Sequence, residues 1–570
     1  MAKFHTSKTL LASALTFTLS ACTSLPTTPA PQASADIHID VPSVAHPKGE
    51  TPAWWYRSGA AQATERGAMG GRAKNVIVFL GDGMSLPTVA AARILEGQRK
   101  GGSGEENRLS WEHFPATALS KTYNTDAQTP DSAGTMTAIT TGVKSHMGSI
   151  GVYAGDKNNC AASLDKQALT WLELANSAGL ATGIVSTARI THATPAATYA
   201  HVPNRGWESD AKLPVKAAAE GCKDIATQLI EATAHGQGPS IVLGGGRKNF
   251  MLNSQADPQQ PELRGARRDG HDLIAAWQQA HPQGRYVTDA ASLAAASNAP
   301  NVLGLFNSDH MQYDHDRIAN GAIEPSLTAM TLAAISHLSH NANGYVLMVE
   351  SAKIDMGHHE GNAFRALNET VAFSDAVRAA AQATSADDTL IIVTADHAHT
   401  LNFVGYPGRG NPILGKVRGA EEFDGIQAGK LTLDLQKRPY TTLLYATGPG
   451  TTGATDQQPA GPKHYPHWPK KLLEPANGRP DLTDVDTTDP NYMQEALIPM
   501  AGETHGGDDV GIWARGPGSS AVRGSLEQNA IYHIVVQATP KLRAALCDKG
   551  YCDSNGVPVE LPSLRTFKAK

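Results

Sequence analysis

The sequence predicts an α/β protein built on a large, mainly parallel central sheet with helices on both faces. Three observations lead there. Short apolar runs rich in β-branched residues recur along the chain, helical patterns separate several of them, and polar residues collect where the runs end. Strands alternating with helices bury a parallel sheet on both faces. Ligands of such sheets bind beyond the strand C-termini.

"KNVIVFLGDG" (74–83) reads as a buried strand ending in a Gly-Asp-Gly turn, and "LPTVAAARILEG" (86–97) as the helix after it. The strand pattern returns in "ATGIVSTAR" (181–189), "SIVLGGG" (240–246), "GYVLMVES" (344–351), "TLIIVTADH" (389–397) and "DVGIWARG" (509–516). "AFRALNETVAFSDAVRAAAQA" (363–383) reads as an intervening helix. Residues 401–500 break this rhythm: they are rich in Gly, Pro and Thr, with only "YTTLLYATGPG" (440–450) strongly strand-like. They predict an insertion in the core and not a separate functional domain. Residues 51–400 and 501–570 then form the core and its C-terminal tail.

The chain has 570 residues, 41% hydrophobic and 18% charged, enough apolar material for a sizeable core. A net charge of −6 with no basic run argues against a nucleic-acid binder. Lys3 and Lys8 precede "TLLASALTFTLSAC", which is short for a membrane span and suits a signal h-region. "LSAC" (Leu19 to Cys22) resembles a bacterial lipobox. Residues 1–21 therefore read as a lipoprotein signal peptide and Cys22 as the lipidated residue, a plain secretory signal being the alternative. Residues 22–50, rich at first in Pro, Thr, Ser and Ala, read as a flexible tether. The expected location is the periplasm, with the lipid anchor in a bacterial membrane, the outer one. Cys160, Cys222, Cys547 and Cys552 allow three disulfide pairings, which fit an exported chain. The close pair Cys547–Cys552 would staple the tail and leave Cys160–Cys222; zinc ligation is the rival use.

In "TPDSAGTMTAITTG" (129–142), Ser132 follows Asp131 at the mouth of a helical stretch. Alone, the pair reads as a helix N-cap. A nucleophile also needs a group that lowers its pKa and one that holds its target. In "VESAKIDMGHHEGN" (349–362), Asp355 and His359 are four apart, one face of a helical turn, and of types that suit zinc; a polar surface loop is the bland alternative. "TADHAHT" (394–400) adds Asp396 and His397, whose joint use on one metal requires a turn after the strand. "ETHGGDDVG" (503–511) adds His505, and Asp82 and Glu350 end two other strands. Convergence on one sheet edge predicts a dinuclear metal site. Two metals about 4 Å apart suit in-line phosphoryl chemistry, and a helix N-terminus favours an anionic phosphoryl group. A Ser-His-Asp triad is the rival, but no G-x-S-x-G elbow is present. His358 and His399 adjoin these residues and read as solvent-facing.

These motifs resemble those of alkaline phosphatases, most closely the animal-type subgroup. "FLGDGM", "PDSAGT", "THATPAATYAHVPNR", "GGGRK", "ESAKIDMGHHEGN", "TADHAHT" and "ETHGGDDVGIWARGPG" occur in family order. The resemblance implies an α/β core with an inserted crown, a homodimer, and hydrolysis of phosphate monoesters through a phosphoserine. It implies two zinc ions and one magnesium. Ser132 matches the nucleophile. Asp355, His359 and His505 match the ligands of one zinc; Asp82, Asp396 and His397, joined by Ser132, match those of the other. Asp82 also matches the bridge to magnesium, whose other protein ligands match Thr194 and Glu350. Arg205 matches the arginine that clamps two phosphate oxygens, a role for a planar fork, although alone it reads as a surface arginine. Asp131 is placed to orient it. His192 matches a histidine near the magnesium, outside its ligand shell. The cysteine spacing supports both disulfides.

Two positions depart from the family. Met356 stands where relatives commonly carry a polar residue, and a thioether holds a bound water weakly. Phe306 and Glu324 fit the subgroup's calcium site, but Asn307 replaces a carboxylate there, which weakens calcium. Rival functions are a phosphodiesterase or sulfatase of the same superfamily and a non-catalytic zinc-binding surface lipoprotein. No Cys/Ser-x-Pro-x-Arg context supports a sulfatase, and Thr194 with Glu350 favours the monoesterase over the diesterase.

Overall fold

The computed structural model describes residues 37–44, 49–153, 157–422, 427–475 and 477–569. The expected signal peptide, Cys22 and most of the tether lie outside them. Ile37–Lys570 forms one compact unit.

Ten strands make the central sheet: β1 (Asn75–Gly81), β2 (Ala116–Lys121), β3 (Ala181–Arg189), β4 (Ile241–Gly245), β5 (Arg285–Val287), β6 (Val302–Leu305), β7 (Tyr345–Ser351), β8 (Thr389–Thr394), β9 (Val510–Arg515) and β10 (Arg523–Glu527). Their order is β10-β2-β9-β8-β1-β7-β3-β4-β6-β5. β9 runs antiparallel to β2 and β8, and every other pairing is parallel. The mainly parallel sheet expected from the sequence is therefore present.

The continuous apolar runs follow from burial on both faces, because alternate residues of one strand serve different cores. Val76, Val78 and Leu80 of β1 join Met348 and Ile392 in one core, closed by helices Pro52–Glu65, Ser132–Thr141 and Ala530–Ala538. Ile77 and Phe79 join Leu347, Val349, Ile391 and Val393 in the other, closed by helices Leu86–Arg99, Leu327–Leu338 and Ala363–Ala383. The helix expected over 363–383 has those bounds, and Asn362 caps it by accepting the Arg365 N–H at 2.8 Å.

After β8 the chain leaves the large sheet. Leu401–Phe403, Leu443–Gly448 and Ala496–Pro499 form a small three-stranded sheet, and two-stranded pairs fill part of the rest. At the base of this excursion, His505–Gly506 pairs antiparallel with Ala398–His399. The disulfides are Cys160–Cys222 and Cys547–Cys552, as in a protein matured outside the reducing cytosol. Among the described residues no helix is long and apolar enough to cross a membrane.

Candidate active site

The topology brings the expected residues to one edge. β1, β7 and β8 are parallel neighbours and end together. Asp82 directly follows β1, Glu350 lies level with Leu80 and Ser186, and Asp396 with His397 follows β8. β9 runs the other way, so its start lies at this same edge and delivers His505 just before it.

Helix Ser132–Thr141 opens there too. Asp131 is its N-cap and accepts the Gly134 N–H at 3.1 Å, so the capping reading holds for the aspartate. Ser132 is the first helical residue, 2% exposed, with Oγ 3.0 Å from His397 Nε2. The turn required after β8 exists: the chain bends at Asp396, whose Oδ1 accepts the N–H of Gly83 and of His397, each at 3.0 Å. His397 Nε2 then lies 3.3 Å from Asp82 Oδ1 and 3.4 Å from Asp396 Oδ2.

Asp355 and His359 share one face of the short Lys353–His359 helix, with His359 Nε2 3.3 Å from Asp355 Oδ1. His505 Nε2 lies 3.1 Å from His359 Nε2 and 3.5 Å from Asp355 Oδ1. The other nitrogen of each ring is committed. His359 Nδ1 donates to the Glu503 carbonyl at 2.6 Å and His505 Nδ1 to the Pro130 carbonyl at 2.7 Å. The two Nε2 atoms and a carboxylate oxygen therefore crowd together, and His399 of the next strand reaches that Asp355 oxygen as well. Such outer hydrogen bonds orient ligating histidines, and a cation fits this donor set.

A third group joins Asp82, Glu350 and His192, each offering one atom within 4.8 Å of the others. Both Asp82 oxygens, Glu350 Oε1, Thr194 Oγ1, Asp396 Oδ2 and His192 Nδ1 are buried without a hydrogen-bond partner. Buried orphans of this kind are costly. Burial, then the Asp396, Asp355 and Glu350 charges, pushes the Asp82 carboxyl well above its ordinary range. Burial pushes Glu350 up to about 8 against the hydrogen bond from Ser186. Crowded acids that resist ionisation are what cations relieve. Oxygen donors at Asp82, Glu350 and Thr194 suit magnesium, and the imidazole-rich groups suit zinc.

Arg205 is part-exposed at the mouth. Nη1 meets Asp131 Oδ2 at 3.0 Å and Nη2 meets His192 Nε2 at 3.1 Å, so Asp131 and His192 together aim the fork. Asn124, not anticipated from sequence, donates to Asp131 Oδ1 at 3.2 Å. Met356 is half-buried beside Asp355.

One reading needs correction. His358 and His399 do not face solvent; they are 0% and 2% exposed. His358 bridges Thr88 Oγ1 at 3.0 Å and Tyr445 OH at 2.8 Å, tying the excursion to the core. His399 Nε2 donates to Asp355 Oδ1 at 2.7 Å, and its Nδ1 to Glu503. The D-H-A-H spacing carried a signal for His399, since residues two apart in an extended chain share a face. At the Phe306 corner, where the sequence leaves calcium open but weakened by Asn307, the carboxylate is engaged by N–H donors and the residues do not fit that ion as they stand. Glu324 is 5% exposed, and its two oxygens accept Asn307 Nδ2 at 2.6 Å and the Gln312 N–H at 2.9 Å.

Acids and imidazoles converging at the edge of a doubly covered sheet, with a serine at a helix N-terminus, define a metal-dependent hydrolase of phosphoryl groups. A family model described as alkaline phosphatase matches residues 73–540, and the chain belongs to the alkaline phosphatase family. Its activity is hydrolysis of phosphate monoesters. It is 42% identical over 475 residues to the tissue-nonspecific alkaline phosphatase isozyme of Gallus gallus, across 82% of this chain and 84% of that one. It is 39% identical over 507 residues to the Rattus norvegicus isozyme, across 86% and 89%. Among solved structures, the Thermus thermophilus alkaline phosphatase superposes with TM-score 0.58 at 22% identity, covering 93% of this chain and 100% of that one. The enzyme of the Antarctic bacterium TAB5 gives 0.54 at 22% identity, covering 82% and 99%.

Proposed function

We propose that the chain hydrolyses phosphate monoesters in two displacements through a phosphoserine on Ser132, with two zinc ions and one magnesium, as an exported member of the animal-type subgroup. One zinc would be held by Asp355, His359 and His505, and the other by Asp82, Asp396, His397 and Ser132. Magnesium would be held by Asp82, Thr194 and Glu350, with His192 beside it. The observation that carries this reading is the convergence of His359 Nε2, His505 Nε2 and Asp355 Oδ1, 3.1 to 3.5 Å apart, with the other nitrogen of each ring held by a backbone carbonyl. Metals so bound lower the pKa of hydroxyl groups and stabilise a leaving oxygen.

The chain's own residues do the rest. Ser132 Oγ sits at a helix N-terminus, where unpaired N–H groups favour negative charge on the attacking oxygen and on the phosphoryl group. Its attack on phosphorus breaks the bond to the alcohol. Arg205, aimed by Asp131 and His192, holds the equatorial oxygens through both displacements. Water then attacks the phosphoserine from the side the alcohol left, and inorganic phosphate departs.

The same reading takes residues 401–500 as the crown insertion and the protein as a homodimer. Exposed apolar side chains within that stretch, among them Phe403, Trp468, Leu473, Leu497 and Ile498, support that. Lys3, Lys8 and the Leu19–Cys22 stretch support a lipid anchor on Cys22 in the periplasm.

The test is the ratio of p-nitrophenyl phosphate to bis-p-nitrophenyl phosphate hydrolysis on zinc- and magnesium-loaded protein, with Ser132→Ala as the blank. A large monoester preference that vanishes in the blank is expected. A diester preference, or full activity in the blank, overturns the reading. Loss of labelled palmitate on Cys22→Ala checks the anchor.

A further inference from the structure

The excursion from the large sheet leaves after Thr400 and returns at Glu503, and these two residues meet. The Glu503 side chain is wholly buried. Its Oε1 accepts both the N–H and the hydroxyl of Thr400, each at 2.6 Å. Its Oε2 accepts Nδ1–H of His399, whose Nε2–H donates to Asp355 Oδ1 at 2.7 Å. The Glu503 backbone grips the neighbouring ligand as well. Its carbonyl accepts His359 Nδ1–H at 2.6 Å and its N–H donates to the His359 carbonyl at 2.8 Å. Two residues further on is His505, paired with His399 in the short ladder. One residue thus touches the base of the excursion and orients two candidate zinc ligands, Asp355 and His359, while belonging to none of the ligand groups proposed above.

We propose that Glu503 is a positioning residue: its carboxylate closes the excursion on Thr400 and, through His399 and its own backbone, sets Asp355 and His359 at zinc-binding geometry. This rests on the assignment of Asp355, His359 and His505 to one zinc. Coupling follows from the shared side chain. Whatever loosens the base of the excursion loosens that zinc, while the ion at Asp82, Asp396 and His397 is untouched.

The experiment measures both zinc dissociation constants on the full-length protein by competition with a chromogenic chelator. Glu503→Ala should weaken one zinc by about 10- to 100-fold, the range for lost outer-shell partners, and leave the other unchanged. Glu503→Gln keeps an acceptor oxygen for Thr400 and should lose less, giving a graded order that a general loss of structure would not produce. Thr400→Val should speed amide exchange across Leu401–Phe403 with a smaller zinc effect. His505→Ala tests the underlying assignment and should abolish one zinc. If His505→Ala keeps both zincs, the metal assignment fails. If it loses one, yet both Glu503 variants bind zinc as the unaltered protein does, the positioning role is overturned. Should Glu503→Ala not fold, the Gln variant decides alone.

Discussion

The sheet-edge cluster and the Glu324 corner are built from the same kinds of residue and end in opposite states. At the edge, Asp82, Glu350, Asp396 and Thr194 carry buried oxygens with no donor, and two imidazoles bring their Nε2 atoms within 3.1 Å of each other. At the corner, both Glu324 oxygens are taken by N–H donors from Asn307 and Gln312. The difference is one of proton supply. A carboxylate met by an amide is satisfied by hydrogen bonds, while carboxylates and imidazoles that meet only one another need a cation. A single Asn for an acid changes which of these a corner becomes.

The largest expected effect breaks the edge. Stripping metals with a chelator should cut monoester turnover by about 10³-fold or more, since metal stabilisation of the reacting oxygens is worth several kcal/mol. Zinc plus magnesium should restore it and calcium should not; rescue by calcium alone would erase the contrast between the two regions.

The metal-free protein offers a sharper form of the same test. Glu350 is pushed from its ordinary 4.5 up to about 8, so the folded state holds that proton more tightly than the unfolded state. Asp82 and Asp396 shift in the same direction, chiefly by burial. These acids therefore lend the metal-free folded state a contribution that is lost as pH rises from about 4.5 to about 8, and above about 6.5, where His192 and His397, held neutral by burial, no longer oppose it, the fall stands alone. Thermal melts should show that fall without metal and a much flatter profile with zinc and magnesium. A flat profile in both would mean that the acids are relieved some other way.

Arg205→Ala removes the fork from the mouth of the cluster. Charge-assisted hydrogen bonds contribute about 1.5–3 kcal/mol, so KM for p-nitrophenyl phosphate should rise about 10- to 100-fold, and inhibition by phosphate should weaken in parallel. An unchanged phosphate inhibition constant would remove Arg205 from the clamp.

The smallest effect belongs to the corner. Asn307→Asp replaces the Glu324 donor with a second anion and should cost about 1–3 kcal/mol of stability, read from denaturant unfolding. Added calcium should recover that loss in the variant and leave the unaltered protein's stability where it was. A calcium-dependent rise in the unaltered protein would show that the latch opens.

The parts of the fold that were legible from sequence are those buried on both faces. β1, β7 and β8 read as nearly continuous apolar runs because alternate residues fill two cores. β2 and β10 escaped because they lie at the sheet's end with mostly exposed or half-exposed side chains, and β5 and β6, though β6 is buried, are only three and four residues long. Within the site, the ligand types were legible from local spacing: Asp355 with His359 on a helical turn, Asp396 with His397 on a bend. Asn124 and Glu503 were not. His399 lies 104 residues from Glu503, and Asp131 lies seven from Asn124 across a turn, and no periodic pattern records either contact.

By itself the sequence determined which residues prefer strand or helix, which groups are able to bind a cation, and that several of them fall where strands end. Those are local properties, set by side-chain period and chemistry. Only the tertiary structure decided that β9 runs against its neighbours and so starts where they stop, bringing His505 to His359. Only it turned His399 inward and closed Glu324 with an amide. The physical reason is that a lone pair is satisfied by whatever the returning chain sets beside it, and that depends on strand order and direction, which local periodicity does not encode.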